Sequence, residues 1–168
     1  FISEAIDQTR GWFYALLIDS DDDAATFRSD MAEAVGKLHP HSRPFDFLVA
    51  AHHALGEQHE AVALMEHGIA EHCEPMGDTP LHDNCMAWYW SLAGVHEDDA
   101  LRRIDRALTL TGDRSDFLDT KAMVHLARGE YTEAFRAAKA AARLSPDDVY
   151  MLWQVERIGA LADQESER

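Results

Sequence analysis

The side chains best able to do chemistry are crowded into the middle of the chain. Eight of the ten histidines lie between residues 39 and 82, and the only cysteines, Cys73 and Cys85, sit beside His72 and His82. Two imidazoles and two thiolates can fill the four positions around tetrahedral zinc. Here, however, His72 and Cys73 are adjacent and should point apart, and their spacing to His82 and Cys85 matches no common zinc module. The four are candidate ligands at most, and no metal or cofactor is expected. A thiolate nucleophile would need an imidazole beside it and a third group to orient that imidazole. Cys85 and His82, three apart on a helix, share a face, but such a pair is usually surface chemistry. No catalytic residues are expected, and the chain reads as a non-enzyme. A metal-binding or Cys/His-dependent enzyme is the alternative. Two cysteines are too few for a disulfide framework, so both thiols are expected to be free, in a reducing, cytoplasmic setting.

The carboxylates divide in the same way. Asp21 to Asp23 and Asp98-Asp99 look like acid pairs. Each precedes a helical pattern, where negative charge stabilises the N-terminus. No 12-residue loop of alternating oxygen ligands with a closing Glu is present, which argues against calcium. Over 168 residues the formal net charge is −16. That excess repels phosphate backbones and anionic membrane surfaces, so neither nucleic acid nor membrane is an expected partner. The longest strongly apolar run, Gly11 to Ile18, is far short of the roughly 20 residues of a spanning helix. The N-terminal residues carry no basic region and cleavage site of a secretory signal. The first residue is Phe1 rather than Met, which keeps open that the chain is a fragment of a larger regulatory protein.

These groups must be positioned by helices. The prolines, at 40, 44, 75, 80 and 146, all fall between stretches whose apolar residues recur with period 3.6. No stretch alternates with period 2, so strands are not expected. About nine helices are expected. The first two use Ile2, Ile6, Phe13 and Leu16, then Phe27, Met31, Val35 and Leu38. Thr79 reads as an N-cap with Pro80 at the first helical position, and Glu74 to Asp78 as a loop. Gly94, Gly129 and Ser145-Pro146 end helices, and Asp147 and Asp148 open the last, over 148–163.

Sliding the sequence along itself by 34 residues places Ala100 on Ala134, Ile104 on Ala138, Ala107 on Ala141 and Leu110 on Leu144. Small residues recur where two helices must approach closely, with bulkier ones between. The run Gly129-Glu130-Tyr131-Thr132-Glu133-Ala134, then Ala141, Leu144 and Pro146, resembles the second half of a tetratricopeptide repeat, whose unit is a 34-residue helix–turn–helix. The preceding copy departs from the pattern: Gly112 takes the proline position, and Gly94 comes one place early. A looser copy has Gly56, Ala61 and Gly68 at the corresponding places, 39 residues before the next. The resemblance implies one all-α domain, an antiparallel helix-pair solenoid. It would comprise a degenerate pair at 1–38, repeats at 42–73, 79–112 and 115–146, and a closing helix at 148–163.

The family is a protein-interaction fold, and its concave groove is lined by the second, fifth, ninth and twelfth residues of each repeat. Those positions are held here by Arg43, Asp46, Ala50 and His53, then by His82, Cys85, Tyr89 and Leu92, then by Asp116, Asp119, Met123 and Leu126. In the closing helix they are Tyr150, Trp153, Arg157 and Ala160. The resemblance thus implies a mixed aromatic and acidic groove for a peptide or partner protein with basic and apolar anchors. Asp116 and Asp119 should point into it together. Separately, residues 1–17, with the core Asp7-Gln8-Thr9-Arg10-Gly11-Trp12-Phe13, resemble a segment of the synthetic site of isoleucyl-tRNA synthetases. The two phosphate-holding motifs of that family are missing, and the only lysines are Lys37, Lys121 and Lys139. The segment reads either as a fused fragment serving as a first helix or as coincidence.

Overall fold

The computed structural model describes residues 44–166. Arg43, residues 1–17 and the pair expected over 1–38 lie outside the described residues. Within them the chain forms seven α-helices: α1 (Pro44–Ala54), α2 (Gln58–Gly68), α3 (Pro80–Ala93), α4 (Glu97–Thr111), α5 (Ser115–Ala127), α6 (Tyr131–Leu144) and α7 (Val149–Ser166). They pack in sequence as antiparallel pairs, α1 with α2, α3 with α4 and α5 with α6, while α7 lies on α6. First helices also contact one another, α1 with α3 and α3 with α5. No helix among the described residues is long and apolar enough to cross a membrane.

The helix starts follow from local chemistry. Thr79 is extended, and its hydroxyl accepts the backbone N–H of His82 at 3.2 Å, with Pro80 in the first turn. Asp148 does the same for α7, accepting the N–H groups of Tyr150 at 2.9 Å and Met151 at 3.3 Å. Each satisfies donors that a helix N-terminus leaves unpaired.

Within each pair the turn is one design used three times. Gly56 and Gly129 take left-handed φ of 73° and 72°. There the N–H of the next residue reaches back five residues, Glu57 to His52 and Glu130 to His125, both at 2.9 Å. The glycine N–H bonds the carbonyl three back, at 3.0 Å in both. This reciprocal pair of bonds closes a helix end only where the turn residue tolerates positive φ. A side-chain clasp repeats as well: Nδ1 of His52 lies 2.7 Å from Glu57 Oε2, and Nδ1 of His125 lies 2.6 Å from Glu130 Oε2. The middle turn has the same backbone bonds, from Gly94 and Val95, but one further residue precedes α4. That residue, His96, must itself adopt a φ of 54°. The early Gly94 is therefore a turn lengthened by one residue.

Past each turn, the N–H of Ala61, Ala100 and Ala134 bonds the carbonyl of Glu57, His96 and Glu130 respectively. All three alanines are fully buried. Two helical turns on, Gly68, Ala107 and Ala141 are buried too. A Cβ on Gly68 would stand 2.6 Å from the Tyr89 ring. The expectation for the outer pair fails: Leu110 and Leu144 are 66% and 51% exposed, so they fill no interhelical space. They lie at the ends of α4 and α6, past the last small contact.

The other correction concerns the cysteines. Cys73 and Cys85 form a disulfide, with Cα atoms 5.5 Å apart. α2 runs on into a π-turn at Ile69–Cys73, and of the loop expected over 74–78 the first part, Glu74–Met76, is a 3-10 turn while Gly77 and Asp78 are non-helical. The wider π-turn carries Cys73 to the flank of α3, where Cys85 waits. With both thiols paired, the sequence argument for a reducing compartment loses its support.

Charge ties neighbouring helices together, within a pair and between pairs. The carboxylate of Asp83 on α3 is fully buried, and it receives Nη1 of Arg103 at 2.8 Å and Nη2 of Arg106 at 2.7 Å from α4. Burial alone would push the Asp83 carboxyl up, but the two guanidiniums outweigh it and hold it below the ordinary value. Lys121 reaches Asp105 at 2.6 Å, and Arg128 pairs with Asp98, joining α5 to α4.

Two outcomes are expected. Gly68→Ala and Ala141→Leu each overfill a close contact and should lower stability by roughly 1–3 kcal/mol in denaturant titration; an unchanged midpoint for both would contradict the packing register. Replacing both cysteines by serine opens a loop spanning 12 residues, and should cost about 3 kcal/mol by loop-closure entropy. A double variant as stable as the disulfide-bonded chain would contradict it.

Candidate functional site

Stacking the first helices side by side leaves a cleft along their N-terminal halves. Its volume is about 150 Å³, the size of a cavity that admits a benzene-sized group. It is too small for a drug-sized ligand, whose pockets start near roughly 300 Å³. Asp46 enters from α1, and Cys85 with its neighbours Asn84 and Trp88 from α3. Asp116, Asp119 and Thr120 come from α5, and Asp148, Tyr150 and Met151 from the start of α7.

Four carboxylates thus share one small space, each in a different state. Asp46 is 4% exposed; its Oδ2 accepts the indole N–H of Trp88 at 3.0 Å, while its Oδ1 has no hydrogen-bond partner among the described residues. Asp148 is committed to capping α7. Asp116 is exposed and held by Arg114, with Nε at 3.0 Å and Nη2 at 2.8 Å. Asp119 is only 6% exposed, and its Oδ1 is also without a partner. Burial pushes the Asp119 carboxyl up to about 7. Hydrogen bonds from Gln154 and Tyr150 and the charge of Arg157 pull the other way without overcoming desolvation, and the nearby Asp148 adds to the rise.

Behind Tyr150 lies a polar network inside the core. The side-chain amide of Gln154, itself buried, donates to the Tyr150 hydroxyl at 2.9 Å and to the Met123 sulfur at 3.1 Å. Arg157 donates from Nε to Gln154 Oε1 at 3.1 Å, and its guanidinium sits 5.2 Å from the Trp153 ring centroid. Tyr150 and Trp153 are tilted neighbours at 6.0 Å. The back wall of the cleft is therefore fixed by hydrogen bonds rather than by loose side chains.

The structure brings together five of the residues nominated from sequence: Asp46, Cys85, Asp116, Asp119 and Tyr150. Met123, Trp153 and Arg157 form the network behind them. Three others are elsewhere. His53 belongs to the α1–α2 turn, bonding Gln58 at 2.9 Å with its ring against Gly94. Tyr89 is fully buried against Gly68. His82 is half-buried in the first turn of α3 and does not line the cleft. Asp116 and Asp119 do not act as an exposed pair, since only the former faces water. Sequence reasoning missed Asn84, Trp88, Thr120, Asp148 and Met151. Each is a helical neighbour of a nominated position, Thr120 one turn past Asp116 and Trp88 three past Cys85, so a broader face would have included them.

The metal candidates come apart. Both sulfurs of the His72, Cys73, His82 and Cys85 set are joined to each other, and His72 stacks on Tyr89 at 6.5 Å. Among the described residues, no group of three or more His, Cys, Asp or Glu side chains is placed to hold a metal ion.

No protein-family model, no curated protein and no solved structure matches the chain.

The Asp119 carboxyl makes stability depend on pH with a definite sign. Between its ordinary 3.8 and about 7, the unfolded chain has released this proton while the folded chain keeps it. Its contribution therefore falls as pH rises through that window and is flat above it. Asp119→Asn removes the cost of a buried charge, so at pH 8 the variant should be more stable than the parent by up to roughly 4 kcal/mol. The gain should vanish near pH 4. A difference independent of pH would show that Asp119 ionises normally.

Proposed function

We propose that the chain is a non-catalytic protein-interaction module, a tetratricopeptide-like array of helix pairs that holds a peptide or partner protein in the concave groove of its first helices. One observation supports this reading above others. Five positions nominated by the repeat register alone, on four helices separated by up to 104 residues of sequence between Asp46 and Tyr150, line a single cleft. The repeated turns and the repeated small contacts of the helix pairs support the same register. A thiolate mechanism has less in its favour, because a sulfur in a disulfide is neither a nucleophile nor a base. Net charge and the four cleft aspartates favour a partner segment with basic anchors, beside the apolar surfaces of Trp88, Tyr150 and Met151.

The test is a selection of displayed peptides on the full chain, followed by mapping of the bound peptide on the isotope-labelled protein. The expected result is perturbation centred on the Trp88 indole N–H and the amides of Asp116 and Tyr150. Association should slow as salt rises from 0.1 M to 1 M, where the Debye length falls from about 10 Å to about 3 Å. Perturbations confined to the exposed ends of α4 and α6, around Leu110 and Leu144, would place the partner on the opposite elements and refute the groove.

A further inference from the structure

We infer that the cleft is a receptor for a single arginine side chain of the partner, whose guanidinium is bound between Asp46 and Asp119. This rests on the groove reading above and specifies its occupant. Acidic residues alone would say little, since a solvated acidic face is common. The informative feature is three buried oxygens in this cleft with no hydrogen-bond partner among the described residues: Oδ1 of Asp46, of Asn84 and of Asp119. They come from α1, α3 and α5, and all three residues line the same cleft. A buried acceptor left unmade costs on the order of 1–3 kcal/mol, more for a charged group. Three together in the walls of one cleft describe a site that can accept several N–H donors at once.

The shape and chemistry narrow the donor. With Asp119 ionised all three orphaned atoms are acceptors, so the ligand must present donors and needs no acceptor of its own. A guanidinium carries five N–H donors in one rigid plane, whereas an ammonium offers three around a point. Acceptors supplied from three separate helices suit the wider fork. The volume of about 150 Å³ admits a side-chain head group and little more. Trp88 and Tyr150 stand in the wall, where an aromatic face can carry the flat cation. Trp88 also fixes its Asp46 partner through Oδ2, leaving Oδ1 for the ligand. A metal ion is a poorer occupant, since no cluster of three ligating side chains is placed to hold one among the described residues.

Binding is then coupled to a proton. The charged and titratable groups around Asp119 are Asp116 on its own helix, Asp46 on α1, and Asp148, Tyr150 and Arg157 on or beside α7; Gln154 adds a neutral donor, and α3 brings the neutral Asn84 and Trp88. Arg157 is the cation among them, and it is engaged with Gln154 and Trp153. An entering guanidinium favours the ionised carboxylate, so Asp119 gives up its proton as the ligand binds. With the carboxyl near 7 in the empty site, the apparent affinity should tighten about tenfold from pH 6 to pH 8 and level off beyond.

The probes are N-acetyl-arginine methylamide and its neutral isostere N-acetyl-citrulline methylamide, titrated into the full isotope-labelled chain. The arginine probe should shift the Trp88 indole resonance and bind at least fivefold more tightly than citrulline. Asp46→Asn should weaken it at least fivefold. Asp119→Asn should weaken it and also abolish the dependence on pH, which a merely structural role would not do. Asp163→Asn, exposed at the far end of α7, should change neither. Equal binding of citrulline and arginine would overturn the inference. So would indifference to Asp46→Asn and Asp119→Asn, or no shift of the indole by either probe. The groove reading stands or falls separately: if selected peptides occupy the cleft through an uncharged residue, only the arginine assignment is lost, and if none occupies it, both are.

Discussion

Two helices can lie closely side by side only where the side chain between them is almost absent. Ala61, Ala100 and Ala134 meet that condition on one turn of each second helix, and Gly68, Ala107 and Ala141 meet it two turns later. The rest of the arrangement leans on these contacts. Gly68 admits the Tyr89 ring of α3 and so joins the first pair to the second, and the left-handed glycine turns fix how the chain reverses within a pair. Once pairs of similar geometry are laid down in order, their first helices are brought together, α1 against α3 and α3 against α5. Positions one repeat apart then fall on the same wall. That is how Asp46, Cys85 and Asp119, remote in sequence, come to border one cleft.

Bringing those positions together has a cost at the cleft. Asp83 shows how a buried carboxylate is normally accommodated: two arginines meet both of its oxygens and keep it ionised. Asp46 and Asp119 are buried nearly as deeply but receive fewer donors, and each leaves an oxygen unpaired. The contrast lies within one chain and under the same packing constraints. A fold that can supply two guanidiniums to Asp83 from α4 supplies none to Oδ1 of Asp46 or of Asp119. Stability given up at a cleft is the usual mark of a surface that meets something else.

The helices, their caps and most of their ends were legible in the sequence because each rests on local chemistry. Thr79-Pro80, Asp148 and the turn glycines act over a few residues. The pairing register was legible because small residues repeat at 34 and 39. What was not legible depended on geometry between elements. The π-turn at Ile69–Cys73 leaves no compositional signature, and without it Cys73 would not face Cys85. Asp116 and Asp119 look equivalent as letters three apart. Only the position of α7, with Tyr150 and Gln154 closing over one of them, makes Asp119 a buried acid and leaves Asp116 in water. Leu110 and Leu144 show the converse, a recurrence in sequence whose two members both stay more than half exposed.

The disulfide acquires a meaning from its place in this series. Between α2 and α3 the chain is longer than between later pairs, and the extra length is taken up by the π-turn and the 3-10 turn. Such an insertion would leave the first pair loosely tied to the second, and the bond from Cys73 to Cys85 removes that freedom. It does so at a particular point. Cys85 holds the repeat position that Asp46 holds before it and Asp119 after it. A third carboxylate there would set three like charges in a row along one wall, each raising the cost of ionising the next. A disulfide puts an uncharged, rigid group between the two acids instead. It fastens the turn after α2 to the flank of α3. The same covalent link therefore ties the first helix pair to the second and keeps a charge out of the cleft wall that Asp46 and Asp119 share with Cys85.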